Sequence, residues 1–133
     1  MNAETIPADR LACLLRDAAD GLRADLAAVD LICRHGHFLH DPGFRRIIAA
    51  GSSVTTGQPL AVIRWNAAVH ALESGWLPCS GSQQAILRIA ASLAEPSIAI
   101  NLGDCLRNLD PRNITLVTGA ITTANGGPER STP

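Results

Sequence analysis

The run Cys33-Arg34-His35-Gly36-His37-Phe38-Leu39-His40 places one thiol and three imidazoles within eight residues, more potential ligands than a chain connection needs. If the run is extended, Cys33, His35 and His37 share one side; if it is helical, Cys33 neighbours His37 and His37 neighbours His40. A structural zinc site asks for N, S or O ligands converging as a tetrahedron, usually with a pair from one segment closed by a pair from another. His70 or Cys79 could supply the second pair, but no spacing demands either. Gly36 marks a bend between His35 and His37, and a bend can gather ligands or merely turn the chain. The expectation is a helix-to-helix connection whose polar histidines diverge and hold no metal.

Two other constellations bear on chemistry. Ser80, in Cys79-Ser80-Gly81-Ser82, stands at a predicted helix start, where the partial positive field could lower a thiol pKa or steady an oxyanion. A nucleophile also needs a histidine beside it that a third group orients, and a nucleophile elbow needs a preceding strand. Neither is legible here, and Ser80 with Gln83 has the spacing of a capping box, so Ser80 reads as a cap and no enzyme is expected. Residues 82–124, three helices in succession, have the order of a helix-turn-helix unit. Yet the helix that would enter the groove carries a single basic residue, Arg112, where phosphate positioning calls for several. DNA binding would need help from Arg45-Arg46 or from a dimer. For protein contact, the candidates are Arg45, Arg46 and Trp76, an indole just past Gly75 in a connection. Trp65, on an apolar stripe, reads as core.

Composition narrows the classes further. The chain has 133 residues, 47% hydrophobic and 17% charged, enough apolar material for one core. Aromatics make up only 3%, so that core must be built from Leu, Ile, Val and Ala. All 11 basic residues are Arg, and the net charge is −1, which offers no broad electrostatic footprint for nucleic acid or an anionic membrane. The Met1-Asn2-Ala3-Glu4 start lacks a basic region and apolar run, and no apolar stretch reaches spanning length, so a cytoplasmic chain without signal peptide or membrane contact is expected. The four cysteines are widely spaced and read as free thiols acting as small hydrophobes. No phosphate loop or dinucleotide fingerprint calls for a cofactor.

These groups have to be positioned by helices. Leu11, Leu15, Ala18, Leu22, Leu26 and Val29 predict an amphipathic helix over residues 7–29, weakened at Gly21. Asp41-Pro42 opens a short helix carrying Phe44, Ile47 and Ile48; Gly51 ends it, and a polar loop follows. Pro59 is read as the start of a helix running to about Ser74. The stretch bounded by Pro78 and Pro96 predicts the central helix at about 82–95, apolar around most of its circumference apart from the line Gln84, Arg88 and Ser92. Residues 97–101 alternate like a strand but have nothing to pair with, and so read as a linker. A short helix at Leu102–Leu109 and a last one opened by Asp110-Pro111 complete the set.

The runs Trp65-Asn66-Ala67-Ala68-Val69-His70-Ala71-Leu72, Leu77-Pro78-Cys79-Ser80-Gly81-Ser82, Leu87-Arg88-Ile89-Ala90-Ala91-Ser92-Leu93-Ala94 and Leu109-Asp110-Pro111-Arg112-Asn113 are quoted for a resemblance. Through them the second half of the chain resembles small, functionally uncharacterised helical proteins of high-GC actinomycete-type bacteria. That resemblance implies no activity and assigns no site residue. The expected fold is all-α: a single-domain irregular bundle of five to six helices over residues 1–127, followed by a disordered tail at 128–133. The expected role is a non-enzymatic helical module that contacts a protein partner or itself. The alternatives are the helix-turn-helix regulator of residues 82–124 and a metal-binding protein using Cys33–His40.

Overall fold

The structure, a computed structural model, describes residues 2–127; the tail expected at 128–133 lies outside the described residues. More than half of the described residues are helical, in seven α-helices and two short 3-10 turns, with one two-stranded hairpin. The helices are α1 (Ala8–Ala19), α2 (Arg23–His35), α3 (Pro42–Arg45), α4 (Trp65–Glu73), α5 (Gly81–Ala94), α6 (Leu102–Arg107) and α7 (Pro111–Ala124). The strands are β1 (Ile48–Ser52) and β2 (Pro59–Ile63).

The predicted helix over residues 7–29 is two helices. Gly21 sits at φ 84°, a left-handed conformation that breaks the helical path and that glycine adopts without a Cβ penalty. The apolar stripe continues across the break, so Leu11, Leu14 and Leu15 of α1 and Ala27, Ala28, Leu31 and Ile32 of α2 all reach the same core. Gly36, at φ 90°, then ends α2 two residues beyond Arg34, later than the sequence pattern placed the irregular segment.

The stretch read as a short helix, a loop and a helix start is an antiparallel hairpin. Ile48 pairs with Ile63 and Ser52 with Pro59. Ile48, Ala61 and Ile63 are buried while Val62 is exposed, a period of two rather than of three or four. Pro59 occupies the first position of β2, where a missing N–H is tolerated in a strand as well as in a helix. A two-stranded ribbon is marginal alone; here β2 lies against α1. Helix α4 therefore starts only at Trp65.

Helix α5 is buried as its composition requires: Ile86, Leu87, Ile89, Ala90 and Ala91 are essentially inaccessible. Leu93, on the apolar circumference of the same helix, is only partly buried in the last turn. The capping box is present, with the Gln83 amide donating to Ser80 Oγ at 3.2 Å and the Ser80 amide donating to Gln83 Oε1 at 2.9 Å. Helix α5 shares the centre with α2, which packs against α1, α5 and α7 together. Arg88 links α5 to Glu73 of α4 at 3.2 Å. Asp30 of α2 takes Arg16 from α1 at 2.9 Å and Arg34 from its own helix at 2.6 Å. Among the described residues, no helix is long and apolar enough to cross a membrane.

Candidate functional site

The Cys33–His40 segment is split by the end of α2, and its ligands part company. Cys33 is half-buried on the helix, His40 is exposed, and His35 and His37 lie around the buried Phe38. The two imidazole centroids are 6.4 Å apart with the rings at 87°. No group of three or more His, Cys, Asp or Glu side chains able to share an ion occurs among the described residues, so neither His70 nor Cys79 closes the set. The thiol is also in the wrong state for a ligand or nucleophile: burial pushes Cys33 up to about 11, a rise that Arg16 only partly opposes. His35 Nδ1 and His37 Nε2 are buried without a hydrogen-bond partner. Burial and then the Arg112 guanidinium hold His35 below the ordinary imidazole range.

Arg112 itself is committed to the fold. Its Nη2 donates to the Arg34 carbonyl at 3.0 Å and to the His35 carbonyl at 3.4 Å, capping the C-terminus of α2. The helices needed for a helix-turn-helix, α5, α6 and α7, are all present, but the outward side chains of α7 include Ile114, Thr115, Thr118 and Ile121 and no base beyond Arg112. Ser80 is exposed and fully engaged as a cap, with Ser82 Oγ 3.3 Å from its own hydroxyl.

Arg45 and Arg46, adjacent in sequence, do different things. Arg45 turns inward: Nε donates to the Leu39 carbonyl at 2.6 Å, and Nη1 reaches the carbonyls of Ala3, Glu4 and Ile6 at 3.2, 3.3 and 2.6 Å. It thereby fastens the N-terminal segment to α3. Arg46 points outward, with Glu4 3.5 Å away as an exposed partner.

Arg46 forms one wall of a groove of about 300 Å³ between the base of the hairpin and α4. Arg64 and His70 line it as well, Ile47 and Ala71 give it an apolar floor, and Trp76 stands at its edge. Trp76 is 64% exposed, the most exposed of the large aromatic side chains. Its position follows from local chemistry: Gly75, at φ 79°, ends α4, and the Trp76 and Leu77 amides both fold back onto the Ala71 carbonyl at 2.9 and 3.1 Å. Arg64 is held by its Nε on the Ile47 carbonyl at 3.0 Å and its Nη2 on the Arg46 carbonyl at 2.9 Å. That fixes the guanidinium and leaves its Nη1 without a hydrogen-bond partner among the described residues. No carboxylate is among the lining residues.

The structure thus brings together two sequence candidates, Arg46 and Trp76, and adds Arg64 and His70, which the sequence did not mark as partners of either. Arg64 was hidden because residues 59–74 read as one helix; the signal that could have found it is the alternation Ala61, Ile63, with Arg64 as the first residue past the strand. Comparison with known proteins found no matching family, no matching curated protein and no matching solved structure.

Proposed function

We propose that this protein is a non-enzymatic helical module that docks a segment of a protein partner in the Arg46–Trp76 groove. The observation that carries the reading is one exposed indole beside an apolar floor, rimmed by two guanidinium groups and an imidazole with no acid among them. Exposed Trp and Arg are the residue types that most often anchor protein interfaces. The charge on the rim selects an acidic segment, and the floor of Ile47 and Ala71 selects one with an aliphatic side chain among its acids. Among the described residues, Glu4 is the only acid paired to Arg46, and an exposed pair contributes at most about 1 kcal/mol, so an incoming carboxylate can displace it. Two arginines are too few to hold a nucleic acid backbone on a chain of net charge −1.

The test is titration with a short peptide of alternating Glu and Leu, read by Trp emission in a Trp65→Phe background so that Trp76 alone reports. A saturable blue shift is expected, weakened by added salt, lost in Arg46→Glu and strengthened in Glu4→Gln. No saturable shift, or a shift indifferent to both substitutions, would exclude the groove as the docking site.

A further inference from the structure

A second cavity, of about 270 Å³, lies against β2 and is lined by residues of α1, α2 and the start of α4 and by the end of α5. Its apolar floor includes Leu15 and Val29, and its polar lining is of one sign: Asp25 and Glu95, with no basic side chain. Neither carboxylate has an ion-pair partner among the described residues. Glu95 accepts from Ser97 Oγ at 3.2 Å through Oε1, which leaves Oε2 open. Trp65, read from sequence as core, is half-buried and forms part of the wall.

The backbone adds to the same potential. Helix α1 ends at the cavity with Ala18 and Ala19, and α5 ends there with Ala94, so two helix C-termini present their partial negative charge. The N-terminus of α2 works against this, but Asp25 lies in its first turn and offsets that pole. An indole wall, two acids and two helix C-termini around an apolar floor are the chemistry that recognises an ammonium group carried on a short apolar body. The volume sits at the small end of ligand cavities and suits a small cation.

We infer that this cavity is a binding site for a small organic ammonium ion, held by Asp25, Glu95 and the face of Trp65. The site is independent of the Arg46–Trp76 groove, whose lining it does not share.

The experiment uses the full chain with Trp76→Phe, which leaves Trp65 as its one indole. Choline, Nα-acetyllysinamide and 3,3-dimethylbutan-1-ol, the neutral carbon isostere of choline, are titrated while Trp65 emission is followed. A saturable change with choline or the lysine derivative, absent with the neutral alcohol, is the expected result. The tighter of the two amines tells a free ammonium ligand from a partner's lysine side chain. Asp25→Asn and Glu95→Gln, nearly isosteric and checked for unchanged helicity, should each weaken binding about tenfold. The inference is overturned if neither amine gives a saturable response at tens of millimolar. It is equally overturned if the alcohol matches choline, or if both variants bind as the parent does.

Discussion

His35 is the imidazole whose surroundings oppose its protonation. Burial, Arg112 and His37 all disfavour its imidazolium, and its Nδ1 has no partner to receive a proton's charge. The folded chain therefore takes up this proton less readily than the unfolded chain does. Well above pH 6.5 the imidazole is uncharged in both states and contributes no pH dependence. As pH falls below 6.5, the ordinary imidazole value, the unfolded state protonates first, and stability is lost from there down through the lower folded-state value. The urea midpoint should accordingly decline as pH falls through 6.5 and below, and His35→Gln should flatten that decline. A decline of the same size in the variant would assign the effect to other groups. At this scale the sequence was informative about caps: Asp41, Ser80 and Asp110 all accept from the backbone N–H that their position as N-caps predicts, while Asn101, read as the end of a linker, caps α6. It was not informative about Arg45 and Arg46, because adjacency in sequence carries no sign of which guanidinium turns inward.

Among the elements, the hairpin is where local pattern and fold diverge. Val62, Trp65 and Val69 recur at helical spacing, and Pro59 suits a helix start, so residues 59–74 satisfy a helix as well as a strand followed by a helix. What decides is a partner: Ile48–Ser52 lies antiparallel to Pro59–Ile63, a non-local pairing that no short window contains. The same absence of a visible partner was correctly held against residues 97–101, which form no strand. Gly21 shows the converse, a break marked in the sequence but read as a weakening, because a continuous apolar stripe does not distinguish one helix from two that share a core. Arg45 joins elements that are distant in sequence, tying residues 3–6 and Leu39 to α3. Arg45→Ala should destabilise by about 2 kcal/mol, since it leaves partly buried carbonyls without a donor. Arg45→Lys should recover little of this, because an ammonium cannot reproduce the fork. Denaturant unfolding measures both, and a near-neutral Arg45→Ala would show that water replaces the guanidinium.

For the molecule as a whole, one continuous core joins α1, α2, the hairpin, α4 and α5, with α7 laid along α2. Ile89, 2% exposed near the middle of α5, is a direct probe of that core. Ile89→Asp should cost several kcal/mol, on the order of burying an unpaired charge, and leave the chain unfolded or molten at ambient temperature by circular dichroism. A cooperative, unshifted thermal transition would contradict the packing described. The fold class was legible because caps, prolines and apolar stripes are local signals; the groove was not, because its walls come from the junction of α3 with β1, the residue after β2, and α4 with the turn that follows it. The central functional claim rests on that groove, and amide chemical-shift mapping tests it most directly. On addition of the Glu-Leu peptide, the shifted resonances should cluster at Arg46, Arg64, Ala67, His70 and the Trp76 indole. Shifts confined to the outward face of α7, or none at saturating peptide, would contradict the account.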